Sequence, residues 1–283
     1  MKNLFILLSL FLSVCAVAED RNYSTIDQEP IQALSPSEKD YGIDKDSIKD
    51  LLWNRYQTDN FTILSIDNAQ GRELFKNIED IKKECLNRYG FKNTVLSKDC
   101  RIMLTPSKEL FKRLFGLQSP RIEFRGDVVA VWLDSENSEE FNNSVKEVIT
   151  EVCLRDLNSK SSFVVSKGMS KLNTSVNNVK SIIGRVSETQ PGTDFIKVTE
   201  KDYQKMNQEN KDKFDTESLV FCLMLKKEFG ESKFLEYFFD KNEKIYGFDS
   251  KSLNSSYNRY YRDIFNELKK NNIPNSYLNI GRE

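Results

Sequence analysis

The chain has 283 residues, with 42 Lys and Arg against 43 Asp and Glu, a formal charge of −1, and no histidine. So even a balance excludes the basic surface that nucleic acid demands, and a polybasic membrane anchor with it. The absence of histidine removes the commonest zinc ligand, the commonest general base, and the Ser-His and Cys-His nucleophile systems together.

Met1 and Lys2 precede the apolar run LFILLSLFLSV, and Ala16-Val17-Ala18 follows before Glu19 and Asp20. A basic start, a short apolar core and a small-x-small site predict a signal peptide over residues 1–18, too short to remain as a membrane span. Cys15 follows Val14, which is larger than a lipobox usually holds, so cleavage after Ala18 is preferred to lipidation. The expected location is secreted, periplasmic or in the cell envelope. No later stretch is apolar and long enough for an integral membrane span. Residues 19–45 are polar, contain Pro30 and Pro36 and lack periodicity, which predicts a flexible linker.

Residues 46–134 read as an N-terminal α/β part. A short helix is expected over 46–56, with Ile48, Leu51, Leu52 and Tyr56 inward, then a strand at 61–66 (FTILSI). A helix over 68–89 carries Leu74, Phe75, Ile78, Ile81, Cys85 and Leu86 on one face and stops at Gly90. A second strand falls at 101–104. Ser107 N-caps a helix over 108–114, ended by Gly116. Residues 121–124 and 128–133 predict a hairpin about Arg125-Gly126-Asp127. The acidic segment 134–140 lacks the glycine and terminal glutamate of a calcium loop, and reads instead as a capped helix start.

Residues 135–283 read as a helical part. Val148, Ile149, Val152, Cys153 and Leu157 recur at spacings of three and four, which puts one apolar face on a helix. A loop with Asn158, Ser159 and Ser161 leads to a second helical run from Phe163, whose apolar members are Val164, Val165, Met169 and Leu172. Residues 172–192 are rich in Asn and Ser apart from an apolar patch at 179–183, and the charged segment 192–213 is expected to loop over the surface. Apolar helices follow at 214–229, stopped by Gly230, at 233–239 and at 257–270. Strands with helices, then helices almost alone, make the fold class α+β. After signal cleavage four cysteines remain, Cys85, Cys100, Cys153 and Cys222. Two disulfides and buried free thiols both remain open, and four cysteines allow three pairings.

Five pieces, in order, resemble the peptidase MA-like, or gluzincin-like, domains of secreted bacterial proteins. They are the strand-to-helix segment RIMLTPSKELFKRLFG, the hairpin strand VVAVWL, the helix around Glu151, the helix from Phe163 to Lys171, and the helix from Phe214 to Gly230. Thr150-Glu151-Val152-Cys153-Leu154 stands where that family has His-Glu-x-x-His, and Lys167 where it has the third zinc ligand. Threonine is a poor zinc ligand, leucine cannot bind, and an ammonium repels the ion. Only Glu151, in the place of the family's general base, is kept, and without a metal it has no polarised water to deprotonate. The resemblance therefore implies a pseudo-peptidase with no metal, no cofactor and no working catalytic residue. It allows a protein or peptide partner, docked by strand addition along Val129, Val131 and Leu133; the alternative is that these are ordinary core residues of an edge strand. It also implies disulfides Cys153–Cys222 and Cys85–Cys100. An ammonium in the vacated hole invites a Glu151–Lys167 ion pair; the alternative is two separate solvated residues. Two other functions remain open. One is an exported hydrolase using non-histidine groups, although Ser166-Lys167 and Ser170-Lys171 are helix neighbours that do not face each other. The other is a purely structural envelope protein.

Overall fold

The computed structural model describes residues 27–30, 52–91, 95–115, 121–125, 128–158, 162–186, 193–240 and 250–270. The expected signal peptide, with Cys15, and most of the expected linker lie outside these residues. The fold is α+β: a six-stranded mixed sheet, then a chain that is almost wholly helical.

The strands are β1 (Asp27–Pro30), β2 (Leu52–Gln57), β3 (Phe61–Ser65), β4 (Asp99–Thr105), β5 (Arg121–Arg125) and β6 (Val128–Asp134). Their order across the sheet is β1-β2-β3-β4-β6-β5. β3, β4 and β6 run parallel at its centre, and β1, β2 and β5 pair antiparallel outside them. The expected hairpin is β5–β6, its turn falling outside the described residues. Two expectations fail. Residues 52–57 form a strand rather than the end of a helix, and residues 27–30, inside the expected linker, pair with that strand as the sheet edge. Trp53 and Tyr56, three apart, are buried in clusters on opposite faces of the sheet, a spacing that also fits one face of a helix.

The helices are α1 (Asn68–Asn87), α2 (Lys108–Phe115), α3 (Ser138–Leu157), α4 (Phe163–Leu172), α5 (Val176–Ile183), α6 (Glu200–Lys205), α7 (Gln208–Asp240) and α8 (Ser250–Lys269), with a 3-10 turn at Thr193–Lys197. The caps follow local chemistry. Ser107 Oγ accepts from the Leu110 amide, and Asn137 Oδ1 accepts from the Glu139 and Glu140 amides. Of the segment expected as a surface loop, residues 193–213 instead hold the 3-10 turn, α6 and the start of α7. Gly230 interrupts α7 with φ +78°, a conformation open to glycine without strain.

Three packed regions result. One sheet face holds α1 and α3 over Ile63, Ile102, Leu104, Val129, Val131 and Leu133. The other holds α2, with Phe111, Leu114 and Phe115 against Trp53 and Trp132. The helical core joins α4, α5, α7 and α8. α3 belongs to two of them, since Val148, Ile149, Val152 and Cys153 pack toward the sheet while Leu154 enters the helical core.

This layout corrects two expectations. β6 is not an edge strand: β4 pairs along one side and β5 along the other, so its ladder has no free side for a peptide. Val129, Val131 and Leu133 are buried beneath the helices rather than presented at a rim. The four cysteines are free, buried thiols, not two disulfides. Cys153 packs with Cys85 and Cys100 in the sheet-side core, whereas Cys222 lies in the helical core with its thiol 3.5 Å from the Val165 carbonyl, so the expected Cys153–Cys222 partners occupy different cores.

Candidate functional site: a buried ladder of ion pairs

α3 and α4 form an antiparallel hairpin. The ladder of contacts between them runs from Arg155 opposite Phe163, through Glu151 opposite Lys167 and Glu147 opposite Lys171, to Asn143, whose Oδ1 accepts from the Ser175 amide just beyond α4. Glu147, Glu151 and Arg155 are spaced by four and so share one stripe of α3; Lys167 and Lys171 share one stripe of α4. Packing the stripes together alternates the charges.

Lys167 Nζ lies 2.9 Å from Glu151 Oε2 and 3.2 Å from Glu147 Oε1. Lys171 Nζ lies 2.7 Å from Glu147 Oε2 and 2.7 Å from Asp215 Oδ2 on α7. Arg155 grips Glu200 of α6 through both terminal nitrogens, at 3.0 and 2.6 Å, and reaches Glu151 Oε1 at 3.4 Å. Its guanidinium carbon also sits 3.9 Å from the centre of the Phe124 ring. The Tyr203 ring of α6 covers Lys167 at 5.2 Å and packs against Phe163 and Phe214.

Glu151 is 2 % exposed and Lys167 9 %, so the ladder is part of the interior. Burial penalises each charge, and each survives only because its neighbours are of opposite sign. Burial works to raise the Glu147 carboxyl, but the Lys171 and Lys167 ammonium groups more than offset it and hold the group at about 2. Burial works to lower Lys167, yet Glu151, Tyr203, Glu147 and Asp215 raise it well above the usual lysine range. Lys171 is raised in the same way, chiefly by Asp215 and Glu147.

The three positions that the resemblance equates with zinc ligands serve three different ends. Lys167 is the rung just described. Thr150 Oγ1 donates to the Lys146 carbonyl at 2.6 Å and accepts from Asn173 Nδ2 at 3.0 Å, tying the end of α4 to α3. Leu154 is fully buried in the helical core. A hydroxyl committed to its own helix, an alkyl chain and a neutralised ammonium do not fit a zinc ion. Among the described residues, no three His, Cys, Asp or Glu side chains are grouped to hold a metal.

The space over Glu151 is filled by Lys167 and Arg155. An open cleft of about 430 Å³ lies beside it, walled by Glu147, Lys167, Lys171, Asn178, Ser181 and Asp215 among others, so its character is polar. The second Asp215 oxygen, Oδ1, is buried and accepts no hydrogen bond.

Sequence reasoning missed Glu147, Arg155, Lys171, Glu200, Tyr203 and Asp215. For the first three the signal was present in the spacing of four on each helix; the last three come from elements whose approach depends on the tertiary fold. No protein-family model matches the sequence, and no curated protein is significantly similar to it. Among the described residues, no helix is long and apolar enough to cross a membrane.

Proposed function

We propose that this protein is an exported, non-catalytic binding or scaffold domain, a pseudo-peptidase in which an ion-pair ladder stands where the peptidase MA-like domains it resembles keep a metal. The observation that carries this reading is the Lys167 ammonium, 2.9 Å from Glu151 and 3.2 Å from Glu147. A carboxylate so paired accepts from an ammonium instead of activating a water, and it is 2 % exposed, out of a substrate's reach. With β6 paired on both sides, the polar cleft beside the ladder is the better candidate for contact with a partner.

The test is incubation of the purified chain, with zinc added, with a mixed peptide library read by mass spectrometry. The expected result is no cleavage above buffer, for both the native protein and Glu151→Gln. Cleavage by the native protein that disappears in Glu151→Gln would falsify the proposal.

A further inference from the structure

A second buried carboxylate stands apart from the ladder. Glu217 lies on α7 and is 5 % exposed. Its surroundings are the interface between α7 and α8, where Phe221, Tyr257 and Tyr261 pack and the Tyr257 hydroxyl donates to the Glu217 backbone carbonyl at 3.3 Å. Unlike Glu147, it has no close cation among the described residues. Lys213, one turn earlier on its own helix, reaches it only at 4.0 Å, with a side chain 58 % exposed and thus well screened. From α8 the titratable neighbour is Tyr257, which cannot neutralise a carboxylate; α4 and α5, also packed on α7, place no cation in ion-pair reach of it among the described residues.

We propose that Glu217 is a pH sensor at the seat of the C-terminal helix: α8 lies tightly on α7 while this carboxyl is uncharged, and its ionisation loosens the contact. An acid in such a site resists losing its proton because the charged form loses water and gains little in return. In keeping with that, burial pushes the Glu217 carboxyl up to about 7, and the Lys213 ammonium lowers it only in part. The sign follows. The unfolded or undocked chain ionises at its ordinary 4.5, the docked chain at about 7, so the docked state binds the extra proton and loses stability as pH rises from 4.5 through 7. That difference corresponds to a change on the order of 100-fold in the docking equilibrium once screening is allowed for. The device is independent of whether the ladder replaces a metal.

The experiment is hydrogen exchange of the full chain at pH 5.5 and 8.5, with rates corrected for intrinsic exchange. Protection of the α8 amides should fall on the order of 10-fold between these two pH values in the native protein, the rest of the change lying below pH 5.5. In Glu217→Gln it should stay at its low-pH level. Parallel pH dependence in the two proteins, or none in either, overturns the proposal. Lys213→Met, which leaves the buried face untouched, gives an independent check. It must move the midpoint to higher pH, and a midpoint that does not move assigns the titration to another group.

Discussion

Replacing Lys167 by methionine keeps the length and apolar stem of the side chain and deletes the charge, leaving two buried carboxylates to face the gap. The size of the effect follows from the structure. Glu147 is held at about 2 against an ordinary 4.5, a net preference for its charged form worth about 3 kcal/mol, shared between Lys171 and Lys167. Losing one of the two partners removes roughly half of that. Glu151 Oε2 loses the ammonium at 2.9 Å and keeps only Arg155 on its other oxygen, which adds about 1–3 kcal/mol for a buried acceptor left unmet. The sum, about 3–4 kcal/mol, agrees with what breaking a buried pair usually costs. Urea denaturation at pH 7 measures it. The deficit should shrink as pH falls from 4.5 toward 2, because a carboxylate with a lowered native value contributes stability above its unfolded value and loses it on protonation. The double variant Lys167→Met with Glu151→Gln should recover part of the loss, since it removes both ends of one rung. A Lys167→Met protein within 1 kcal/mol of the native one at pH 7, on the order of a surface pair, would refute the claim that the ladder is buried and interdependent.

Other outcomes follow from the packing. Gly168→Ala should cost about 3 kcal/mol or more in the same assay, because a Cβ there would stand 2.2 Å from the Ser218 carbonyl oxygen and 2.4 Å from Cys222 Sγ. Leu154→Ala should cost about 2–5 kcal/mol by opening a cavity in the helical core, whereas a solvent-facing or metal-facing position would tolerate it. The thiols of Cys85, Cys100, Cys153 and Cys222 should resist an aromatic disulfide reagent in the native state and react in full in denaturant. Burial raises all of them, Cys153 to about 12, and a fast-reacting native thiol would contradict that.

The parts of the fold that were legible in the sequence are those set by neighbours along the chain. The apolar period of α3, the start of α4 and the pairing of β5 with β6 are local patterns, and each stands where it was expected. The Glu151–Lys167 contact was one of two alternatives that the resemblance left open, and the antiparallel packing of α3 on α4 is what brings the two side chains together. The place of β6 was not, because whether a strand is central depends on pairing with β4, about 30 residues earlier. Its composition did hold a sign: VVAVWL is apolar without alternation, as befits a strand covered on both faces. Cysteine pairing failed for a similar reason. Cys153 and Cys222 sit on different sides of α3's packing, and nothing local to either residue reports which core it enters. Asp215 and Glu200, ordinary acids in charged stretches, join the ladder only because α7 and α6 pack over the hairpin.

If, as proposed, the Lys167 ammonium stands where a metal ion would sit, the chain binds no zinc beside Glu151. The most direct measurement is the zinc content of the purified chain after equilibrium dialysis against a small excess of the ion. No more zinc should bind than to the denatured chain, with no difference between the native protein and Glu151→Gln. One ion per chain, lost when Glu151 or Glu147 is changed to Gln, would contradict it.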